Sequence, residues 1–172
     1  MVNGKGLPSE ILTAYHEAGH AVMAELCGQI VTEVEIIGDE EYSGSVSSLR
    51  FRGENRWSSE TSFHSPDIEA RILVLLAGVA AESLVTGLEV WEGHDDDLDE
   101  AVRLALKMLG ACELVENFLR ETRNRAADIL RRHWEAVEVL AGMLLIHRRI
   151  DRERIRHVVG LLADADSKGR VA

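Results

Sequence analysis

The chain has 172 residues, of which 46% are hydrophobic and only 5% are aromatic. This length suits one domain, and the scarcity of aromatic residues predicts an aliphatic, mainly helical core rather than a β-sandwich. The formal charge of −11 argues against nucleic acid and anionic membranes as partners, because both bind surfaces of positive potential.

The apolar segments and the two cysteines of the sequence indicate the compartment of the protein and the redox state of its thiols. The longest apolar stretch, residues 72–81, is too short to span a membrane. The first ten residues have no apolar signal core. Cys27 and Cys112 lie in apolar surroundings without metal-binding spacing, which predicts buried free thiols in a reducing compartment. We therefore expect a soluble, cytoplasmic protein.

The first half of the chain predicts a helix and a β-hairpin. Pro8 marks the start of the helix, which runs to about Cys27. Alternating residues from Ile30 to Ile36 then predict a half-buried strand, and residues 42–51 predict the returning strand after a turn over 38–41. The polar residues that follow, up to Ser65, predict a loop.

The second half of the chain predicts helices. Ser65 and Pro66 begin one that is apolar on nearly all sides and runs to Val85, which indicates a central position in the core. Further helices are expected over residues 97–110, 112–132, 133–149 and 151–162. The predicted fold is thus mainly α (α+β), with one small β-hairpin.

One domain is expected to cover residues 1–163. Residues 8–110 would form its catalytic part together with the hairpin, and residues 111–163 its closing helices. Residues 164–172 are expected to form a flexible tail.

The run His16-Glu17-Ala18-Gly19-His20 carries the clearest chemical signal. Two histidines four residues apart on a helix face the same side, one turn apart, and can share a zinc ion. Glu17 follows the first histidine directly and could act as general base towards the attacking water.

An alternative interpretation is two surface histidines on a solvated helix. The small or apolar residues around the motif favour burial instead, and buried histidines require partners. These neighbours are Ala14, Tyr15, Ala18, Gly19, Ala21 and Val22. The metal interpretation is therefore preferred, although the motif alone leaves a zinc site one protein ligand short.

The third ligand is left open by the residues themselves. Candidates are Glu82, His94, Asp95, Asp96 and Asp97. Glu82 lies in the apolar helix, where a lone carboxylate is costly, so it could be a ligand or could orient a ligating histidine. Asp97 could instead cap the next helix, and His94 is more typical of a surface loop.

Several segments together resemble FtsH-type metalloproteases, which are membrane-anchored AAA+ proteases. The pentad 16–20 is similar to their zinc motif, and Val34 to Gly44 to their hairpin. Residues 76–82 resemble their Ala-Gly-Arg-x-Ala-Glu-Glu helix, with Val79 in place of arginine. Residues 96–101 resemble their Asn-Asp-(Leu/Ile)-Glu-x-Ala segment, with Asp96 in place of asparagine. The resemblance extends from about Pro8 to Leu162.

This resemblance implies Zn²⁺ bound by His16, His20 and Asp97, with Glu17 as the catalytic base. It implies that Glu82 is a buried glutamate beside the site, contacting a ligand rather than the metal. It also implies that an extended substrate peptide adds to the hairpin edge near Gly44, which suits an unpaired strand edge.

The 172 residues differ from that family in lacking an ATPase module and transmembrane helices. Gly4-Lys5-Gly6 does not match the phosphate-binding loop pattern. The expected substrates are therefore unfolded polypeptides or peptides, and a separate ATPase acting in trans is a candidate partner. Family members form hexamers, so the resemblance is also compatible with an oligomer.

Three functions follow from these observations. The preferred one is a zinc metalloendopeptidase, a hydrolase acting on unfolded segments. The second is a zinc-binding but proteolytically inactive adaptor or regulator, suggested by Val79 and Asp96. The third is a metal-free helical interaction module, suggested by the charged helices between residues 113 and 156.

Overall fold

The structure is a computed structural model that describes residues 7–38, 45–51, 65–88 and 96–169. Helices dominate these residues, and three strands form one small sheet, so the expected mainly α (α+β) class is confirmed. In chain order the elements are α1 (Ser9–Leu26), β1 (Val31–Gly38), β2 (Ser45–Phe51), α2 (Ser65–Leu75), α3 (Ala77–Thr86), α4 (Asp96–Leu109), α5 (Cys112–Arg132), α6 (Trp134–His147), β3 (Arg149–Asp151) and α7 (Arg152–Gly169).

Helix α1 is the central element of the fold. It begins directly after Pro8, whose fixed φ of −57° suits the residue before a first turn. It ends before Gly28, which adopts a left-handed φ of +70° that an L-residue rarely accepts. Eleven of its residues are buried, because α3, α6 and β1 all pack against it. The motif histidines therefore lie inside the protein rather than on a solvated face.

The sheet is antiparallel and has the strand order β2-β1-β3. The hairpin expected from the alternating pattern is present, with Val34 opposite Leu49 and Ile36 opposite Ser47. The third strand was not predicted, since residues 133–149 were expected to be helical. It is only three residues long, too short for a period of two to be visible, and it forms because β1 offers Glu33 to Glu35 as pairing partners.

The apolar helix predicted from Ser65 to Val85 consists of two helices, α2 and α3, separated at Leu76. No proline lies near this position, and the nearest glycine, Gly78, lies within α3 rather than at the break. The hydrogen bonds nevertheless continue across it: the Leu76 N–H donates to the Ile72 carbonyl at 3.0 Å, and the Ala80 N–H to the Leu76 carbonyl at 3.1 Å. The pair α2–α3 therefore keeps one continuous helical register.

Two apolar clusters form the core. The larger joins α1, β1, α3 and the C-terminal helices, and the smaller joins α2, α4 and the start of α5. The pair α2–α3 contributes to both clusters, for example through Val74 to the first and Ile72 to the second. This places the pair between α1, which carries the histidines, and α4, which carries Asp97.

Both cysteines are free, but the prediction that they are buried is wrong: Cys112 is exposed and Cys27 is half-buried. Cys112 is the first residue of α5 and lies on its solvent side. Helix α7 continues to Gly169, seven residues beyond its predicted end. Among the described residues, no helix is both long and apolar enough to cross a bilayer. The division into residues 1–163 and a flexible tail stays a prediction.

Gly19 allows α1 and α3 to approach closely, and Gly19→Ala is expected to lower the free energy of unfolding. An added Cβ would lie 2.7 Å from the Ala77 carbonyl oxygen and 2.7 Å from the Ala81 Cβ. The helices must separate to relieve this overlap, at a cost of about 1–3 kcal/mol. Urea denaturation of the metal-free protein measures the change.

Gly142→Ala in α6 is the matched control, since an added Cβ there meets nothing within 4 Å. Relief of glycine's entropic penalty in a helix should stabilise this variant by up to about 1 kcal/mol. Equal effects of the two substitutions would contradict the close packing of α1 on α3.

Candidate metal centre

The two histidines of the motif project from the middle of α1 towards α2 and α3. They are separated by one helical turn, and only 8% of His16 and 2% of His20 is exposed. Their rings lie 4.6 Å apart in an edge-to-face arrangement. Such buried imidazoles require polar partners, and the structure provides one for each ring nitrogen.

The Nδ1 atoms of both rings contact oxygen atoms of the neighbouring helix pair. His16 Nδ1 lies 2.7 Å from Oε1 of Glu82 in α3, and His20 Nδ1 lies 2.7 Å from the carbonyl oxygen of Val74 in α2. The Val74 carbonyl can only accept, so Nδ1 of His20 is the donor. These contacts direct the opposite nitrogen of each ring, Nε2, into the space between the helices.

The Nε2 atoms and one carboxylate oxygen converge in that space. The two Nε2 atoms are 2.9 Å apart. Oδ2 of Asp97 lies 2.9 Å from Nε2 of His20 and 3.5 Å from Nε2 of His16. His16, His20 and Asp97 form a trio of residues whose ligand atoms all lie within 4.8 Å of one another. Two nitrogens and one oxygen are donors that zinc accepts, and three protein ligands leave its fourth position open. The donor set therefore fits a catalytic zinc ion.

Gly78, the second residue of α3, makes room for this convergence. A Cβ at that position would lie 2.5 Å from Nε2 of His16 and 2.5 Å from Nε2 of His20. Any side chain there would occupy the space that the two nitrogens share. The absence of a side chain at Gly78 is thus a steric requirement of the site.

Glu17 places a second carboxylate next to the trio. Only 3% of the residue is exposed, and its Oε2 is buried without a hydrogen-bond partner among the described residues. A buried carboxylate oxygen is costly unless something binds it. An oxygen in this state is suited to accept a proton from a water molecule at the site.

The pKa values of His16 and Asp97 are strongly shifted from their ordinary values. Burial by itself lowers the pKa of His16, but hydrogen bonds with Asp97 and Glu82 outweigh it and raise the pKa to about 10. Burial by itself raises the pKa of Asp97, but hydrogen bonds with His16 and His20 outweigh it and hold the pKa well below its usual range. Without metal, the site is therefore an ion pair at neutral pH.

The metal-free protein is expected to lose stability as the pH rises from about 6.5 towards 10. The pKa of His16 is raised to about 10 in the folded protein. The protonated His16 side chain therefore stabilises the folded state fully at pH values below its unfolded-state pKa, and this stabilisation is lost as the pH rises towards the folded-state pKa. The loss between pH 6.5 and 9.5 should be on the order of 3 kcal/mol.

Urea denaturation in the presence of a chelator, repeated across this pH range, measures the effect. His16→Gln is the control, since it has no proton to lose. If the wild-type protein and this variant lost equal stability, His16 would not be the titrating group.

The structure brings some of the predicted site residues together and leaves others apart. His16, His20 and Asp97 form the trio, Glu82 contacts His16, and Asp96 is exposed at the start of α4. His94, Asp95 and Gly44 lie outside the described residues.

Sequence reasoning missed Gly78 and the Val74 carbonyl. A glycine inside an apolar helix was the available signal for a close backbone approach. No side-chain pattern could have indicated a backbone carbonyl.

Two imidazoles, a carboxylate and a buried glutamate in a helical domain define a site suited to a hydrolytic divalent metal. Comparison with known proteins agrees. The sequence model of Peptidase family M41 matches residues 8–114, more than half of the chain. The chain therefore belongs to Peptidase family M41.

Named relatives show the same affiliation. The chain is 28% identical to ATP-dependent zinc metalloprotease FTSH 11, chloroplastic/mitochondrial, of Arabidopsis thaliana, over 88% of this chain and 21% of the relative. It is 27% identical to ATP-dependent zinc metalloprotease FtsH 4 of Sphaerobacter thermophilus, over 87% of this chain and 28% of the relative. The chain thus spans less than a third of the length of these relatives.

Proposed function

We propose that this chain is a zinc metallopeptidase that hydrolyses peptide bonds in unfolded polypeptides or peptides. His16, His20 and Asp97 would hold Zn²⁺ through the two Nε2 atoms and Oδ2. The observation that carries this proposal is the convergence of these three atoms within 4.8 Å. Membership of Peptidase family M41 supports it independently.

Glu17 is the proposed general base. Zinc, when bound, would polarise the scissile carbonyl and lower the pKa of the attacking water. A carboxylate oxygen of Glu17 takes the proton of that water and then delivers it to the leaving amine. Burial and the lack of a hydrogen-bond partner for Oε2 support this role, because no other described group competes for that oxygen.

Glu82 is proposed to orient His16 rather than to bind the metal. Its carboxylate lies 2.7 Å from Nδ1 of His16, on the opposite side of the ring from Nε2. A carboxylate in this position fixes the ring and increases the basicity of the ligating nitrogen. Between Glu82 and Asp97, this contact favours Asp97 as the third ligand.

The substrate is proposed to bind as an added strand along β2, near Gly44. Among the strands that the structure describes, in the order β2-β1-β3, β2 lies at the edge and pairs with β1 on one side. An edge strand offers backbone N–H and C=O groups to an extended peptide. This mode requires an unfolded substrate segment.

The names of the relatives suggest further partners. They are called ATP-dependent, so we propose that an ATPase delivers unfolded substrates to this domain. We also propose that the protein forms an oligomer and that it is located in the cytoplasm.

Metal content and the identity of the third ligand provide the test. Purified wild-type protein should contain one equivalent of zinc and should hydrolyse unfolded peptides until a chelator is added. Asp97→Ala should weaken zinc binding by more than about 100-fold, and Glu82→Gln by about 10- to 100-fold.

Asp99→Asn is the matched control, since Asp99 is an exposed acidic residue in the same turn of α4. It should bind zinc like the wild-type protein. A larger effect of Glu82→Gln than of Asp97→Ala would reverse the two assignments. A metal-free protein that ignores chelators would exclude the proposal.

An inactive zinc-binding adaptor is the second candidate, favoured by Val79 and Asp96, which differ from the pattern of the family it resembles. One equivalent of zinc, no turnover of unfolded substrates and a stable complex in pull-downs would favour it.

A further inference from the structure

Each histidine of the trio has an outer contact, and both contacts come from the helix pair α2–α3. Glu82 in α3 contacts Nδ1 of His16, and the Val74 carbonyl in α2 contacts Nδ1 of His20. Such contacts orient the histidines that bind a metal, and carboxylates that bind a metal are held by hydrogen bonds in the same way. Asp97 approaches the histidines with Oδ2, so an outer partner of its carboxylate is expected as well.

Arg71 lies on the face of α2–α3 that borders the site. The helical register continues through Leu76, so residues spaced by seven and eleven share one face. Arg71, Gly78 and Glu82 have this spacing, and the last two contact or border the histidines. Arg71 is half-buried, in a helix that packs against α4, the helix of Asp97.

The electrostatics of Arg71 agree with this placement. Burial lowers the pKa of its guanidinium, and the negative charge of Asp97 acts in the opposite direction. This interaction acts across the packed helices α2 and α4, which carry Arg71 and Asp97 respectively. Arginine also matches the planar geometry of a carboxylate better than lysine does.

We propose that Arg71 is a positioning residue that holds the carboxylate of Asp97, so that Oδ2 faces the two Nε2 atoms. The pair α2–α3 then supplies an outer contact for each member of the trio: Glu82, the Val74 carbonyl and Arg71. This inference rests on the proposed role of Asp97 as a zinc ligand.

Zinc affinity of the full chain, measured by competition with a chromophoric chelator, provides the test. Arg71→Met retains the apolar stem and removes the guanidinium, and should raise the Kd for zinc about 10- to 100-fold. Arg71→Lys retains the charge and should recover part of the loss. In the Co²⁺-loaded protein, the visible absorption bands should change in Arg71→Met, because they report the ligand geometry.

Arg125→Met is the matched control. Arg125 is a more exposed arginine that pairs with Glu69, also in α2, and its loss should leave zinc binding within twofold of wild type. Thermal unfolding of the metal-free variants separates positioning from folding: the two Arg71 variants should melt together while differing in zinc affinity.

Two results would overturn the inference. One is an Arg71→Met variant that binds zinc like the wild-type protein. The other is equal zinc loss in Arg71→Met and Arg71→Lys with matching losses of metal-free thermal stability, which would indicate a structural role. Failure of the wild-type protein to bind zinc is a different outcome, and it would remove the proposed function together with this inference.

Discussion

Glu17→Gln is expected to reduce peptide hydrolysis about 10²- to 10⁴-fold and to leave zinc binding intact. The amide has the shape of the carboxylate but cannot take a proton from the attacking water, and general base catalysis contributes a factor of this size. Zinc affinity should change little, because the side chain of Glu17 is not part of the trio. Initial rates on an unfolded peptide, with zinc content measured on the same samples, test both statements.

Glu25→Gln provides the control for this experiment. Glu25 lies on the same helix, two turns beyond Glu17, and is half-buried. Its amide variant should retain full activity. If Glu17→Gln hydrolysed the peptide at the wild-type rate, Glu17 would not be the base, and a proton acceptor elsewhere would be required.

Gly78→Ala is expected to weaken zinc binding at least about 100-fold while the protein remains folded. The new Cβ would lie 2.5 Å from both Nε2 atoms, well inside van der Waals contact. The rings cannot simply turn away, since Glu82 and the Val74 carbonyl hold their Nδ1 atoms. Moving both ligand atoms should cost more affinity than the 10- to 100-fold typical of losing one outer partner.

Equilibrium dialysis with zinc measures the effect, and circular dichroism of the metal-free protein checks the fold. Gly142→Ala serves again as the control, because it adds the same methyl group where no atom lies within 4 Å. Zinc binding by Gly78→Ala at wild-type affinity would contradict the placement of α3 against the histidines.

Much of the site was predictable because its signals are local. The four-residue spacing of His16 and His20 fixes their common face on any helix. The small residues around them indicated burial, and the structure agrees. Glu82 is a charged residue in an otherwise apolar helix, which indicated that its carboxylate has a polar partner. In the structure that partner is His16.

The third member of the trio could not be obtained in the same way. Asp97 is 77 residues beyond His20 in a run of acidic residues, and a carboxylate there would serve equally well as a helix cap. The residues alone left five candidates open, and only the resemblance to a family singled out Asp97. In the structure, α4 packs against α2, and Oδ2 of Asp97 lies 2.9 Å from Nε2 of His20.

The sequence by itself determined the local elements: the helix of the motif, the hairpin and the order of the later helices. Apolar periodicity and end signals encode these over a few residues. Only the tertiary structure decided what depends on distant segments meeting. This includes the pairing of β3 with β1, the division at Leu76 and the close approach of Gly78 to the histidines. Side-chain periodicity describes which face of an element is apolar, but it does not specify which distant atoms pack against that face.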